Sequence, residues 1–315
     1  MIDGTTQAAS IGNTNPAGPE VFFDVVDLDT FPSNPGKLFT SRHCFAFAGA
    51  SNNSLSGFGF VDSSPSAMKS TGGVIGLVAN SGFPGLPTKG NMIFNNWLGL
   101  SSDGESYAGL RFGIYLAFNS QENVVEKNVI CTGGIDLLID FFLNGLQSQY
   151  QLTQKNQVRG NYLGTNAPGT KRLAPTTFNR RTDGLGNPSL SISYATIGNI
   201  IENNIIAGTK SGGIGAINPG EGDLITGANS NVIRNNRIGI GANGENIGPD
   251  PTDSENARAV GIFASAGDMV TGNLIGNFPG TGIAVRTAQK PDSSNPFGPT
   301  AVTGNMISNC GIGIQ

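Results

Sequence analysis

The sequence predicts an all-β solenoid, in which a ribbon of short strands winds into stacked coils, and three observations predict it. A two-asparagine motif surrounded by aliphatic residues recurs along the chain, and internal repeats indicate a repeat architecture. Glycine contributes 47 of the 315 residues, while charged residues make up only 13%, about half their usual share. No apolar stripe with a period of ~3.6 residues persists, so the fold is not built from helices.

The repeated motif is clearest in NVIRNNRIG at 231–239, where two asparagines stand five residues apart. Related copies begin at positions 91, 123, 156 and 199, and looser copies at 268 and 300. We predict that the second asparagine of each copy stacks on its equivalents in one column, with the side-chain amides bonded between coils as a ladder. The members of this column are Asn96, Asn128, Asn161, Asn204, Asn236, Asn273 and Asn305.

The residue before each second asparagine is predicted to bend the chain with a positive φ. Asparagine and glycine tolerate that backbone region best, and the position holds three asparagines, three glycines and one lysine. A strand precedes the bend and another follows it, and the aliphatic residues of both are expected to face the axis of the coil. The bend residues are Asn95, Lys127, Gly160, Asn203, Asn235, Gly272 and Gly304.

A further short strand follows each motif, as in GIYLAF at 113–118 and GIFASA at 261–266. The segment before this strand is long in one coil and short in the next, and the segment after it shows the opposite alternation. Long loops are therefore predicted to alternate between two sides of the coils. Three of the long loops share a G-x4-G turn. About nine coils are expected, which at the ~4.8 Å strand spacing make a rod about 40 Å long. The turn glycines are Gly99 and Gly104, Gly164 and Gly169, and Gly239 and Gly244.

The whole chain, 1–315, is expected to form one domain, with an irregular first coil or cap at 1–40 and regular coils over 41–315. Cys44, Cys131 and Cys310 fall in different coils. Their Cα atoms would lie farther apart than the ~7 Å that a disulfide spans. No disulfide is therefore predicted, and the three side chains are interpreted as small buried groups.

The coils NQVRGNYLGTNAPGT at 156–170 and NVIRNNRIGIGANGE at 231–245 resemble those of right-handed parallel β-helix repeat proteins in the pectate-lyase-like superfamily. The likeness is to bacterial secreted proteins with N-x-I-x-x-N-x-I-G coils, and it covers residues 40–315 well and 1–40 loosely. It implies a right-handed parallel β-helix and an extracellular or cell-surface location. It leaves function open, because this fold hosts lyases, hydrolases, epimerases, adhesins and fibre proteins.

The catalytic patterns that the resemblance implies for polysaccharide enzymes do not occur in this sequence. The N-T-D, D-D, G-H-G and R-I-K patterns of polygalacturonase-like members are missing, as is the R-x-P-x-x-R pattern of pectate lyases. The single histidine, His43 in RHCFAF, is interpreted as structural. No catalytic residue is assigned, and we favour a protein that is not an enzyme.

Two groups of residues are candidate contacts with partners. The apolar loop LLIDFFLNGLQSQY at 137–150 is expected either to fold over the core or to meet another chain. Its candidate assembly residues are Phe141, Phe142, Leu143 and Leu146. Basic residues in a long loop are candidate contacts with an acidic saccharide, namely Lys171, Arg172, Arg180 and Arg181.

Acidic residues occur in two further places. Asp136 and Asp140 would share one side of a strand, either as an acid pair or, as we favour, as solvent-facing side chains. The loop GENIGPDPTDSEN at 244–256 is rich in oxygen ligands, which suit Ca²⁺, but its spacing fits no known Ca²⁺ loop. No metal or cofactor is predicted, with Ca²⁺ kept as an alternative. The acidic residues of that loop are Glu245, Asp250, Asp253 and Glu255.

The leading hypothesis is a non-enzymatic extracellular scaffold, a structural or adhesive surface, fibre or filament protein. The formal net charge of −4 does not favour nucleic acid, and no apolar run is long enough for a transmembrane helix. The final GIGIQ leaves a coil open, and an open coil is an unpaired β edge, so either the chain is cut at this point or another subunit stacks on this end. Self-association end to end or side by side is the favoured expectation. The alternatives are a polysaccharide lyase or hydrolase with its site in the long loops, and a phage tail-spike segment that binds surface glycan.

Overall fold

The computed structural model describes residues 1–4, 15, 18–25, 44–63, 74–78, 86–110, 112–133, 136–140, 153–173, 189–193, 196–208, 212–217, 230–252, 257, 259–285 and 299–315. Nearly all regular structure in these residues consists of short strands, numbered β1 to β29 in chain order. Strands at equivalent positions of successive coils pair in parallel and stack into three faces. Because each coil returns to the same three faces, the described chain is a parallel β-helix.

Face 1 is a sheet of nine parallel strands, one from each coil. In its three-residue strands the middle residue points inward and the two others point outward, as the alternation of a strand requires. In stacking order the strands are β1 (Ile2–Asp3), β4 (Ser54–Ser56), β8 (Met92–Phe94), β12 (Val124–Glu126), β16 (Gln157–Arg159), β20 (Ile200–Glu202), β23 (Val232–Arg234), β26 (Met269–Thr271) and β28 (Ala301–Thr303).

Face 2 follows face 1 after a two-residue bend. Its strands are in parallel register from one coil to the next, as in Tyr162 opposite Ile205. In stacking order they are β2 (Val21–Asp24), β5 (Phe58–Val61), β9 (Trp97–Leu98), β13 (Val129–Ile130), β17 (Tyr162–Leu163), β21 (Ile205–Ile206), β24 (Arg237–Ile238), and the first parts of β27 (Leu274–Val285) and β29 (Met306–Ile314).

Face 3 closes the coil. The long strands β27 and β29 run through faces 2 and 3 without a loop between them. The other strands of face 3 are β3 (Phe45–Ala46), β6 (Ile75–Val78), β10 (Ile114–Ala117), β14 (Leu137–Asp140), β18 (Leu190–Ser193), β22 (Gly212–Ile217) and β25 (Val260–Ala264). A small sheet at the corner before face 1 contains β7 (Thr88–Lys89), β11 (Ser120–Gln121), β15 (Thr153–Gln154) and β19 (Thr196–Ile197).

Stacked aliphatic side chains fill the interior, as predicted. The inward residue of each regular face 1 strand is almost fully buried, and each such burial stabilises the fold by about 1.5–3 kcal/mol. Towards the first coils phenylalanine replaces isoleucine, and Phe23, Phe45, Phe58 and Phe60 pack their rings together. The inward face 1 residues are Leu55, Ile93, Val125, Val158, Ile201, Ile233 and Val270.

The predicted bends are confirmed, because all seven bend residues have φ between 54° and 66°. Lys127 shares this conformation although lysine rarely adopts it, which shows that the position in the coil imposes the bend. The nine strands of face 1 match the expected number of coils. The coils of β9, β17 and β24 each carry a long loop between faces 2 and 3, whereas those of β13 and β21 have short connections there. The predicted fold and the alternation of its loops are therefore confirmed.

Two further structural facts bear on the sequence predictions. Cys44, Cys131 and Cys310 are free thiols, and Cys131 is fully buried. Within the described residues there is no helix with the length and apolar character to cross a membrane.

Candidate functional site

The second asparagines of the motif form a continuous column of hydrogen bonds through the interior. In each step the backbone N–H and the side-chain NH₂ of one asparagine both donate to the Oδ1 of the asparagine in the next coil. Asn128, for example, donates to Asn161 Oδ1 over 3.0 Å and 3.1 Å. The column runs through Asn96, Asn128, Asn161, Asn204, Asn236, Asn273 and Asn305.

The same amides satisfy the main chain at the bend. Asn161 Nδ2 donates to the carbonyl of Val125 in the preceding coil at 2.9 Å and to the carbonyl of Arg159 at 3.2 Å. These groups lie in the dry interior, where an unpaired polar group costs about 1–3 kcal/mol. Asparagine suits the position because one side chain offers both two donors and an acceptor.

A second ladder, built from the first asparagine of each motif, was missed by the sequence analysis. The signal was present, because these residues repeat at the same spacing as the second asparagines. Each Oδ1 again accepts the N–H of the preceding coil, as in Asn123 to Asn156 at 3.0 Å. The ladder contains Asn53, Asn91, Asn123, Asn156, Asn199, Asn231 and Asp268.

Asp268 ends the second ladder with a carboxyl group in place of an amide. Its Oδ1 accepts hydrogen bonds from both nitrogens of Asn231, at 2.9 Å and 3.3 Å, and its Oδ2 accepts the N–H of Ser265 at 2.8 Å. An asparagine has only one acceptor oxygen and would turn its NH₂ towards one of these donors. Burial raises the pKa of Asp268 to about 6, although the hydrogen bonds oppose the rise.

On the outside, the three long loops between faces 2 and 3 form what we call the loop ridge, residues 99–110, 164–173 and 239–248. The loops share one backbone conformation. Both glycines of each G-x4-G turn have positive φ, and the second glycine donates to the carbonyl three residues earlier, at Ser101, Asn166 and Gly241. The similarity of the three loops follows from the shared glycines, because only glycine adopts these angles at little cost.

The loops of the ridge are bonded directly to one another, although a coil without a long loop lies between each pair. Ala167 N–H donates to Gly104 O and Ala242 N–H donates to Gly169 O, both at 2.9 Å. Asn166 Nδ2 donates to Glu105 Oε2 at 3.1 Å. The ridge is thus a continuous hydrogen-bonded surface with a repeat of two coils, ~9.6 Å at the usual strand spacing.

A second apolar core joins the ridge to the β-helix. Trp97, Leu100, Val129, Cys131 and Leu173 are buried together beneath the first two loops. The Cys131 thiol donates to the carbonyl of Leu173 at 3.1 Å, and burial raises its pKa. The thiol is therefore a structural group with little thiolate character.

Asp136 lies beside this core and is almost fully buried, so the interpretation of it as solvent-facing was wrong. The residue precedes β14 and accepts hydrogen bonds from the N–H and hydroxyl of Thr132, at 2.7 Å and 3.0 Å. Burial beneath the ridge raises the pKa of Asp136 to about 7, which the bonds from Thr132 and Ser189 partly oppose. The side chain of its suggested partner, Asp140, lies outside the described part of the structure.

The turn glycines give a test of the ridge. A Cβ added to Gly99 would lie 1.9 Å from the carbonyl oxygen of Cys131, whereas one added to Gly244 would have no neighbour within 4 Å. Both residues have positive φ. We expect Gly99→Ala to lower the free energy of unfolding by about 2–3 kcal/mol and Gly244→Ala by about 1 kcal/mol, as measured by denaturant unfolding. Equal effects would mean that the close approach of Gly99 to the neighbouring coil is not maintained.

The ridge contains two of the four predicted saccharide contacts. Lys171 is exposed, while Arg172 Nη1 donates to Gly248 O at 2.9 Å and so ties the second loop to the third. The remaining candidates lie outside the described residues. They are Arg180 and Arg181, the assembly residues Phe141, Phe142, Leu143 and Leu146, and His43, Asp253 and Glu255.

The oxygen-rich loop is only partly described. Glu245 and Asp250 are exposed, and Asp250 Oδ1 accepts hydrogen bonds from the N–H and hydroxyl of Thr252 at 2.9 Å and 2.7 Å. Among the residues that the structure describes, no group of three or more His, Cys, Asp or Glu side chains is placed to hold a metal ion.

Comparisons with known proteins find solved structures of low sequence identity. No family model and no curated protein sequence matches the chain. An alginate lyase from Paenibacillus sp. is 12% identical, with 87% of this chain and 78% of that chain covered and a TM-score of 0.41. The surface adhesin PfbA of Streptococcus pneumoniae is 17% identical, with 86% and 63% covered and a TM-score of 0.42.

The tailspike protein of the E. coli bacteriophage HK620, solved with a pentasaccharide, is 13% identical, with 87% and 44% covered and a TM-score of 0.35. The chain thus spans less than two thirds of the adhesin and tailspike chains. At these similarities the assignment of the fold depends on the strand pairing of the chain itself.

Proposed function

We propose that the protein is a non-enzymatic extracellular scaffold that self-associates and presents the loop ridge as an adhesive surface for polysaccharide. The observation that carries the proposal is the direct bonding of three equivalent loops into one continuous surface. Binding to loops that are already bonded together avoids the entropy cost of ordering loops. The likeness of the coils to those of secreted proteins supports the extracellular location.

The composition of the ridge suits a polymer of hydroxyl-rich units. Its exposed positions carry amides, a hydroxyl group and charged groups that donate to or accept from hydroxyls. The backbone of the loops repeats every two coils, so the ridge offers one shape at a regular interval, and a polysaccharide offers regular partners. Lys171 is the cation that we expect to contact a carboxylate of the polymer. The exposed polar side chains include Ser102, Asp103, Glu105, Lys171, Asn243, Glu245 and Asn246.

The buried carboxyl groups support a role without catalysis. Asp136 and Asp268 have raised pKa values, which are often a mark of a catalytic acid. Both are enclosed, however, and their oxygens accept hydrogen bonds from neighbouring main-chain and side-chain groups. A general acid must lie within hydrogen-bond reach of its substrate, and these two positions serve the ridge and the second ladder instead.

Retention on immobilised alginate, polygalacturonate and a neutral glucan tests the proposal. We expect the wild type to bind at least one of these three polymers, and Lys171→Glu to weaken any binding to an acidic polymer about tenfold because it turns an attraction into a repulsion. Lys155→Glu makes the same change at an exposed position of a coil corner, away from the ridge, and should leave binding unchanged.

The same samples are then assayed for cleavage. We expect no rise in reducing ends or unsaturated products when the protein is incubated with each polymer. Release of such products at a rate proportional to protein concentration would identify an enzyme and reject the scaffold. Equal loss of binding in Lys171→Glu and Lys155→Glu would place the binding surface away from the ridge.

A further inference from the structure

We propose that two copies of this chain pair through face 1, with their rods antiparallel, about a two-fold axis that runs along the strands between β16 and β20. The inference rests on the self-association in the proposed function and identifies the surface and the symmetry that would produce it. It depends on two columns of outward-facing side chains on face 1.

The first column alternates in charge. At the third residue of four successive strands stand Glu126, Arg159, Glu202 and Arg234, held opposite one another by the parallel register. Within the chain they form two ion pairs, Glu126 with Arg159 at 2.7 Å and Glu202 with Arg234 at 2.6 Å. The side chains of Arg159 and Arg234 remain 40% and 45% exposed, so both guanidinium groups can reach a second chain, and Arg159 Nη1 also donates to Gln157 Oε1 at 3.2 Å.

This order of charges is complementary to itself when one copy is inverted. Read along the rod it is minus, plus, minus, plus, and read backwards it is plus, minus, plus, minus. In an antiparallel pair Glu126 therefore meets the partner's Arg234, and Arg159 meets the partner's Glu202. By symmetry four ion pairs form between the chains, and the interface is isologous, as in most dimers.

The second column, at the first residue of each strand, has the same symmetry except at its centre, where a polar residue meets an apolar one. It reads Met92, Val124, Gln157, Ile200, Val232 and Met269. About the same axis methionine meets methionine and valine meets valine, while Gln157 meets the partner's Ile200. Met269 is 47% exposed, so pairing would remove apolar surface from water.

The charges also select one register and orientation. A shift of one strand along the rod brings Glu opposite Glu and Arg opposite Arg, and so does a parallel arrangement with the charged columns facing each other. Like charges held opposite one another are unfavourable, and such repulsion against wrong partners is a common source of specificity. An antiparallel pairing shifted by two strands forms two of the ion pairs, whereas the pairing centred between β16 and β20 forms all four and matches methionine with methionine and valine with valine.

The size of the face sets the expected strength. Eight strands, β4 to β28, and about five residues across give roughly 600 Å² per copy and ~1,200 Å² in total, the lower end of specific interfaces. A reversible, salt-sensitive dimer is therefore expected. In a three-sided coil the corner between faces 2 and 3 lies opposite face 1, so the dimer would display its two loop ridges on its two outer sides.

Charge reversal tests the face. Sedimentation velocity over a range of concentration should show a dimer of the full chain at low salt that weakens at high salt. Arg159→Glu should raise its dissociation constant at least about tenfold, since two symmetric pairs become repulsive. The control is another ion pair between neighbouring coils, in which Lys89 lies 3.2 Å from Glu122. The double variant Lys89→Glu, Glu122→Lys exchanges the two charges of this pair and should dimerise like the wild type.

A variant with all four charges inverted gives the sharper result. Glu126→Arg, Arg159→Glu, Glu202→Arg and Arg234→Glu together preserve every ion pair within and between copies, so this variant should dimerise with itself. Mixed with wild type it should form no heterodimer in native mass spectrometry, because each contact becomes one of like charges.

The outcomes separate this inference from the proposed function. A wild-type dimer that persists in Arg159→Glu, or a heterodimer between wild type and the inverted variant, would reject face 1 while leaving self-association intact. A wild type that stays monomeric at all concentrations would reject both. Small-angle scattering should give the dimer nearly the length of one rod, whereas a doubled length would indicate end-to-end stacking.

Discussion

Replacing Asn161 by alanine is expected to lower the free energy of unfolding by about 3–5 kcal/mol, measured by denaturant unfolding. The side chain is fully buried at the middle of its ladder. Its loss would remove the acceptor of both nitrogens of Asn128 and the donor to the carbonyl of Val125 and to the Oδ1 of Asn204. Because Asn161 is fully buried, several polar groups would remain unpaired.

The matched control is the same substitution at the end of the same ladder. Asn305 accepts from Asn273 and donates to the carbonyls of Val270 and Thr303, but it is only partly buried. Because water reaches this coil, we expect Asn305→Ala to cost about 1 kcal/mol or less. If both substitutions had the same small effect, the ladder would not be a source of stability.

Replacing Asp136 by asparagine is expected to remove a large part of a decline in stability between about pH 4 and pH 7, to which Asp268, with its pKa raised to about 6, also contributes. The folded-state pKa of Asp136 is raised from 3.8 to about 7, so in this window the folded protein binds more protons than the unfolded chain. The stabilisation is present below the unfolded pKa and is lost as pH rises through the folded pKa. The shift corresponds to roughly 4 kcal/mol.

The free energy of unfolding, measured across this range for wild type and variant, checks the prediction. Asp136→Asn should be the more stable of the two above pH 7, with the advantage disappearing as the pH falls. Asp103→Asn removes an exposed carboxyl of the ridge whose pKa is lowered by bonds from Ser101 and Glu105, and it should keep the wild-type slope between about pH 4 and pH 7. Parallel curves for wild type and Asp136→Asn would show that Asp136 is not buried as described.

Much of the fold could be predicted from the sequence because the chain repeats one kind of coil. A bend residue such as Asn95 or Gly160 and an inward residue such as Ile233 have roles set by their own coil. The chemistry of one coil, repeated from one motif to the next, therefore specifies the stack. The alternation of long and short gaps likewise predicted which corner of each coil carries a loop.

Features that depend on contacts between distant segments were not open to prediction in the same way. Asp136 is buried next to the loop ridge, where a Cβ added to Gly164 would lie 3.5 Å from its Oδ2. Asp268 replaces asparagine because Ser265 supplies an additional donor. The opposition of Glu126 and Arg159, by contrast, was open to prediction, because each residue stands two positions before the second asparagine of its motif.

Hydrogen exchange of the asparagine side-chain NH₂ groups with solvent tests most directly whether the asparagines stack in an interior column. It is followed by NMR in protein labelled with ¹⁵N at asparagine. We expect the NH₂ groups of Asn128, Asn161 and Asn204 to exchange with solvent orders of magnitude more slowly than that of exposed Asn243, since exchange would require the coils to separate. Exchange of the four amides at one common rate would show that the asparagines do not form a closed interior column, and the β-helix described above would be contradicted.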